Sequence, residues 1–406
     1  MNSSKSQELN SRTAMLCWSN LQLINCLNYA YHSSEKIDLF VQNGLDKTGN
    51  LIKKIRISNL FSNVFVYDAS HWHYSKIQVI IKTLTDYIQK NSFHSFIKDN
   101  LRAKTDFLQL YFMTQNYIKT SNMIVDGDYS SETRQYTKVL SPWPDELTFQ
   151  LLISNKNSEL ILYEDGIGSY SIDMFGIKIN TDIKKGCQRL NIDINDFRPS
   201  RIILTSNTDP AARNYSIEHL KPIIKNNDLF QLLYDIFDYK DNYAYNKKHI
   251  IYLTQPFATD FNLNNNSAEN IENKESEILY ILSNYNDNLI IRPHPRDKER
   301  MKSLLNAYEV DMNQNVWELI CANELTDNHI LIGACSTAQF TPKWWFDIEP
   351  WVIITYSLQI SDYDFYNNNY LENARRLKSS YRNPEKIILV DTIDELKSAL
   401  EEIINI

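Results

Sequence analysis

The chain has 406 residues, 43% of them hydrophobic, with 42 Lys and Arg against 50 Asp and Glu, a net charge of -8. That length and apolar content predict two domains, with a third not excluded, each burying a large core. The acidic balance excludes an overall pull toward nucleic acid or anionic lipid, so any bound anion is held locally. Five cysteines (Cys17, Cys26, Cys187, Cys321, Cys335) are odd in number and contain no CxxC pair, which argues for a reducing compartment and against a disulfide framework or structural zinc. A polar opening, MNSSKSQELNSRTAM, and the lack of any uncharged apolar run of about 18 residues predict a cytoplasmic protein, with peripheral membrane association left open.

In chain order, the first predicted strand is AMLCWS (Ala14 to Ser19), followed by a helical stretch to about Tyr31. KIDLFV (Lys36 to Val41), NVFVYD (Asn63 to Asp68), ELILYE (Glu159 to Glu164) and RIILTS (Arg201 to Ser206) follow, with helical patterns such as IQVIIKTLTDYIQ between them. A second series contains HIIYLT (His249 to Thr254), NLIIRP (Asn288 to Pro293), HILIGA (His329 to Ala334), WVIITY (Trp351 to Tyr356) and KIILVD (Lys386 to Asp391), then a last helix from Asp394 to about Ile404. Short β-branched runs alternating with longer amphipathic stretches predict βα units around parallel sheets. The pattern is α/β, in two Rossmann-like halves joined between Asp209 and Lys247, which divides the chain into residues 1–235 and 236–406. The asparagine-rich FNLNNNSAENIENK after the first strand of the second half reads as a solvated loop. In open α/β sheets ligands sit beyond the C-terminal ends of the strands, so the expected site is a cleft between two facing domains, lined by the residues that follow each apolar run.

Three strand ends carry candidate chemistry. At the end of ELILY stand Glu164, Asp165, Gly166 and Gly168, in a chain with only eight glycines. A carboxylate there suits a general base toward a hydroxyl, with glycines that let a ligand approach the backbone; a turn in which Asp165 caps the next element is the plainer alternative. NLIIRPHPRD holds His294 between Pro293 and Pro295, flanked by Arg292 and Arg296. The double proline fixes this histidine rigidly, and the cationic setting suits an anionic ligand such as a phosphate. HILIGACSTAQF places Ser336 and Thr337 after the strand and before an expected helix start, either an anion-binding corner or helix capping alone. Thr254, Gln255 and Pro256 occupy the equivalent position after the first strand of that half, where their amides would line the same pocket.

Other patterns carry less. Asp126 and Asp128 in MIVDGD, like Asp362 and Asp364, match a DxD metal motif, but Gly between two Asp is an ordinary turn. His71 and His73 lack the Cys or carboxylate neighbours that would complete a metal site, so no metal is expected. Trp344 and Trp345 read as core or domain-interface aromatics, with sugar stacking as the minority reading. GxSxG, Walker A and GxGxxG are all missing from the sequence, which removes support for serine hydrolase, P-loop and dinucleotide chemistry.

The order acid-acid-Gly, then His-Pro, then a Ser/Thr pair one strand later resembles the bacterial sialyltransferases. The resemblance is greatest to glycosyltransferase family 52, the lipooligosaccharide sialyltransferases, with polysialyltransferases and marine-bacterial sialyltransferases further off. It covers Tyr163 to Tyr170, Leu253 to Phe257 and Ile291 to Phe340, with a looser match at Ser19 to Gln22, where Asn20 stands in place of the family's proline. It implies a GT-B fold, an N-terminal acceptor-side domain and a C-terminal CMP-donor domain. It also implies inverting transfer of sialic acid from CMP-sialic acid without metal or other cofactor. On that basis Asp165 is the base and His294 the catalytic ligand of the donor phosphate. Gly166, Gln255, Pro256, Arg292, Pro295, Ser336 and Thr337 are donor-binding, and Glu318 falls where relatives carry a glutamate near the ribose. The implied acceptor is a terminal galactose, α2,3-linked, of a lipopolysaccharide, lipooligosaccharide or capsular glycan. An α-glucosyltransferase on the same scaffold, or an inactive nucleotide- or glycan-binding subunit of polysaccharide assembly, are the competing expectations.

Overall fold

The computed structural model describes residues 12–46, 49–68, 123–130, 134–171, 193, 197–206, 215–241, 244–257, 265–297, 304–313, 315–360 and 367–405. The helical pattern IQVIIKTLTDYIQ, together with His71, His73, Cys187, Asp362 and Asp364, lies outside the described residues. The described residues form two compact units. The first draws on Met1–Asp165, Asp173–Thr205 and Ala212–Lys221, and the second on Gly166–Ile172, Ser206–Ala211 and Pro222–Ile406.

The first unit contains β1 (Arg12–Cys17), α1 (Asn20–Tyr31), β2 (Lys36–Gln42), α2 (Asn50–Ile57), β3 (Asn63–Tyr67), β4 (Ile124–Asp126), β5 (Tyr136–Ser141), α3 (Glu146–Ser154), β6 (Glu159–Tyr163), β7 (Pro199–Leu204) and β8 (Ser216–His219). They form one sheet in the order β4-β3-β2-β1-β5-β6-β7-β8. All neighbours are parallel except β3 and β4. The strand order reverses direction at β1 and β5, the topological switch point where open α/β sheets bind ligands. Strands β4, β5 and β8 were not among the expected ones. In β5, Lys138 and the exposed Thr137 interrupt the apolar run, and β8 is an exposed edge strand with no buried face to write into its sequence.

Asp38 anchors the opposite end of this sheet from the site. It is fully buried in β2, where Oδ1 accepts from Arg12 (3.0 Å) and Asn63 (2.7 Å) and Oδ2 from the Tyr136 hydroxyl (3.0 Å). Removing one partner of such a cluster leaves the other polar groups uncompensated. Asp38→Ala is therefore expected to lower the unfolding free energy by on the order of 3 kcal/mol, read as a lower urea midpoint at unchanged m-value.

The second unit contains α4 (Gly168–Ser171), α5 (Asp228–Phe237), α6 (Ala244–Lys247), β9 (Ile250–Leu253), α7 (Asn265–Leu282), β10 (Leu289–Arg292), α8 (Trp317–Glu324), β11 (Ile330–Gly333), α9 (Thr337–Phe346), β12 (Trp351–Ile354), α10 (Tyr356–Ile360), α11 (Asn367–Ser380), β13 (Ile387–Leu389) and α12 (Ile393–Ile404). Its sheet runs β10-β9-β11-β12-β13, parallel throughout. Both faces are covered, which is why these strands read as continuous apolar runs. Ile251, Leu253 and Leu331 enter one core with α8, α9 and α11, while Ile250, Tyr252 and Ile332 enter another with α7 and α12. The asparagine-rich segment expected to be a loop is a helix from Asn265 on, within Asn265–Leu282, and its first four residues lie outside the described ones. Ile271, Glu275, Ile278, Leu279 and Leu282 recur at helical spacing and are buried, while Glu269, Asn270, Glu272, Asn273 and Glu277 supply the solvent face. No helix among the described residues is long and apolar enough to cross a membrane.

Candidate functional site

In the first unit the site forms where β1 and β6 end. Ser19 caps α1, and in a capping box its hydroxyl accepts the Gln22 N–H (3.2 Å) while Gln22 Oε1 accepts the N–H groups of Trp18 (2.7 Å) and Ser19 (3.1 Å). The other end of that amide, Gln22 Nε2, donates to Asp165 Oδ1. One helical turn on, Asn25 donates to the Glu164 carbonyl (3.2 Å), and Asn28 donates to the Lys221 carbonyl (2.8 Å). Gln22, Asn25 and Asn28 thus form a buried polar stripe that binds the ends of the neighbouring strands, beside the apolar face of Leu23, Ile24, Cys26, Leu27 and Ala30. The two acids divide their roles. Glu164 is 1% exposed and its Oε2 accepts the Thr205 N–H (2.7 Å), which ties the end of β6 to the end of β7. Asp165 is held by the amide of a helix start.

In the second unit Arg292, Leu253 and Gly333 stand side by side in register at the last positions of β10, β9 and β11. The residues after them therefore emerge along one edge of the sheet. Thr254 is the joint between two of these segments. Its buried hydroxyl accepts the His294 N–H (3.0 Å) and donates to Asp297 Oδ2 (2.7 Å), and the Asp297 N–H closes the turn on the His294 carbonyl (2.8 Å). His294 Nδ1 accepts the Arg296 N–H (3.3 Å), which puts the ring proton of the neutral imidazole on Nε2. Burial, and then the positive charge of Arg296, pull its pKa down to about 4 against the opposing effect of Asp297. At neutral pH the ring is an uncharged donor through Nε2.

Arg292 has a different part from the donor-binding one expected of it. Its guanidinium pairs with buried Asp311, donates to the Asn315 carbonyl (2.5 Å) and lies 5.9 Å from the Trp317 ring. Tyr245 donates to the same Asp311 (2.5 Å). The arginine orders the end of β10 from within the protein. Ser336 is the cap of α9, accepting the Ala338 N–H (3.3 Å) in a second capping box with Gln339, so its hydroxyl follows the helix-cap alternative. The turn before it places Cys335 at φ 62°. Thr337 Oγ1 accepts the Ile167 N–H (3.0 Å), which joins α9 to the glycine turn of the same unit. Gly166 has φ 97°, and a Cβ there would lie 2.6 Å from Thr337 Oγ1. Gly166→Ala combines left-handed strain with loss of that hydrogen bond, and we expect it to cost roughly 1–3 kcal/mol, read as a lower Tm.

The profile of the alpha-2,8-polysialyltransferase (POLYST) family matches residues 50–352, which include the acid-acid-Gly, His-Pro and Ser-Thr segments. The chain belongs to that family. It is a sialyltransferase-like glycosyltransferase, and its two parallel-sheet α/β units meet the architecture expected of one. The polysialyltransferases take the place that the motif resemblance gave to family 52. None of the curated proteins matches the chain. Solved structures similar to it include UDP-GlcNAc 2-epimerase of Methanocaldococcus jannaschii with UDP-GlcNAc and UDP, at 11% identity over 97% of this chain and 93% of that one, TM-score 0.43. The Streptomyces sp. SF2575 glycosyltransferase SsfS6 is similar at 8% identity over 96% and 99%, TM-score 0.43, and MurG of Acinetobacter baumannii at 8% over 96% and 90%, TM-score 0.37. The assignment rests on the family match and not on these structures.

Against that polysialyltransferase background the remaining expected residues fall as follows. Gln255 is half-buried after β9, Pro256 is buried beside it, and Pro295 is exposed in the His-Pro turn. Glu318 is buried in the first turn of α8, where a carboxylate is favoured by the helix dipole. Asp126 pairs with Arg56 (2.8 Å) and Gly127 turns at φ 105°, as an ordinary turn would. No group of three or more His, Cys, Asp or Glu that could hold a metal occurs among the described residues. Trp345 is core, and Trp344 packs on Phe340 (4.8 Å) and Tyr170 (4.4 Å). Gln22 had only a loose motif match in the sequence and no expected contact with Asp165, and Asp297, behind His294, was missed altogether. The signal for Gln22 was present as a Ser-x-x-Gln capping box directly after a strand.

Proposed function

We propose that the protein transfers sialic acid from CMP-sialic acid to a glycan hydroxyl with inversion, using Asp165 as general base and His294 as ligand of the leaving phosphate. The observation that carries this reading is the placement of Asp165 at the end of β6 in the grip of a neutral amide, while its neighbour Glu164 serves the backbone. An amide fixes the carboxylate without adding the positive charge that would suppress its basicity. The acceptor oxygen forms a bond to the anomeric carbon as the bond from that carbon to the CMP phosphate oxygen breaks. The electron pair leaves with CMP, and the hydroxyl proton passes to Asp165. Sialic acid departs from a quaternary carbon bearing a carboxylate, so bond cleavage runs ahead of attack through an oxocarbenium-like transition state. Charge then grows on the leaving phosphate, where the Nε2–H of His294 and the Thr337 hydroxyl are the donors we assign to it. One phosphate needs less neutralisation than a pyrophosphate, which is our reason for proposing that no metal takes part. With the base on the face of the anomeric carbon away from CMP, inversion follows.

The family match supports a second reading of the acceptor, a sialic acid terminus extended through an α2,8 linkage, beside the α2,3-linked galactose of a bacterial surface glycan. We place the reaction in the cytoplasm. Donor hydrolysis with CMP-sialic acid and UDP-glucose, each with EDTA, separates the donors. The expected result is release of CMP, unaffected by chelation, and no turnover of UDP-glucose. CMP binding without turnover would instead mark a binding subunit.

A further inference from the structure

We infer that Gln22 is a positioning residue that sets the basicity and aim of Asp165, and that its service as the α1 capping residue is what locks it in that role. The inference rests on the reading of Asp165 as the base. Gln22 is fully buried. Its Oε1 receives two backbone N–H groups, so the amide has one orientation only: oxygen toward the helix start, nitrogen toward Asp165. A side chain used this way cannot swing off the carboxylate without uncapping the helix, and the carboxylate oxygen it binds is fixed by the same constraint. Gln339, the matching residue of the other Ser-x-x-Gln capping box, donates to the Ile353 carbonyl (3.0 Å) and meets no acid, so contact with a carboxylate is not a general consequence of this box.

The surroundings of Asp165 make the amide matter. Glu164 precedes it as a carboxylate bound to the Thr205 N–H, and Tyr163 lies inside, donating to the Leu16 carbonyl and contacted by Cys26 of α1 (3.4 Å). Cys17 closes that cluster from β1. Burial holds the Tyr163 phenol and the Cys17 thiol well above their usual pKa values, so both stay neutral. Asn25, the other α1 side chain at this strand end, is also neutral.

Gln22→Glu tests the inference cleanly. Glutamate is the other residue that completes this capping box, and an acid in the first helical turn is favoured by the dipole, so the cap and the fold persist. What changes is the group facing Asp165, a carboxylate in place of an N–H donor, and two carboxylates sharing a site titrate with one pKa raised. In the variant the acid limb of the kcat/KM profile is expected to move up by about one pH unit or more, so that activity relative to wild type is down about 10-fold at pH values below both limbs and is regained above them. Gln22→Met, which removes the donor without adding charge, is expected to lower kcat more than it changes the KM for donor. A parallel titration of the Asp165 carboxyl by carbon-13 NMR, assigned with Asp165→Asn, reads the same shift without any substrate. An unmoved Asp165 titration in Gln22→Glu overturns the inference, whether or not the protein turns over CMP-sialic acid. If the wild-type protein leaves that donor intact while the titration shifts, the reading of function fails and the control of Asp165 by Gln22 stands.

Discussion

Asp165→Asn is expected to lose about 10²- to 10⁴-fold in kcat while keeping the wild-type Tm, the range that removal of a general base produces. The reason lies in how the first unit is put together. Asn has the shape of Asp and still offers a carbonyl oxygen to Gln22, so the strand-end network has no cause to collapse. The loss is therefore chemical. Glu164→Ala is the matching contrast: Glu164 is buried, and its carboxylate accepts a backbone N–H at the end of β7 that alanine leaves without that acceptor. That exchange is expected to lower Tm and to leave the pH dependence of the remaining activity as in wild type. Reversal of the two outcomes would transfer the role of base to the first acid of the pair.

His294→Ala is the second large expected effect, about 10²- to 10³-fold in kcat, because a preorganised donor aimed at developing charge is removed. The tautomer adds a pH signature. With burial and Arg296 holding the ring pKa near 4, His294 is neutral across the range from pH 5.5 to 8 in the free protein. Its loss of a proton therefore does not shape kcat/KM there, and no limb near pH 6.5 is assigned to it. The same shift bears on stability. An unfolded histidine takes up a proton as pH falls through about 6.5, while the folded ring resists until about pH 4, so the unfolded state binds more protons in that window. The contribution of His294 to stability is thus neutral above about pH 6.5 and becomes progressively unfavourable toward pH 4. Nitrogen-15 NMR of the ring, showing an Nε2–H tautomer with a midpoint near the value given, checks both statements. A midpoint at 6.5 would contradict them.

What the sequence made legible follows from burial. Strands covered on both faces, such as β9 to β12, print as apolar runs and were readable to within a few residues, whereas β5 and the exposed edge β8 carry no such run. The helix Asn265–Leu282 was hidden by composition, since its opening residues are the asparagine-rich ones that look like a loop and its apolar positions stand among Asn and Glu. The strand-end positions of Asp165 and His294 were readable because each parallel sheet brings its strand ends to one edge. The roles of their neighbours were not. Whether Ser336 caps or binds, whether Arg292 points to a ligand or to Asp311, and which atom of Gln22 meets an acid are decided by side-chain orientation in the folded chain. The Thr254 hydroxyl that joins His294 to Asp297 is the same kind of fact: three residues from two strand ends, with nothing in either segment to announce the bond.

The central claim is that a strand-end carboxylate and a neutral imidazole move sialic acid from a cytidine monophosphate donor. Mass spectrometry of purified wild-type protein, Asp165→Asn and His294→Ala incubated with CMP-sialic acid, EDTA, and acceptors ending in galactose or in sialic acid measures it directly. The wild-type protein is expected to add one or more sialic acids to an acceptor, and either variant almost none. Full transfer by a folded Asp165→Asn protein, or transfer by wild type only when a divalent metal is restored, would contradict it.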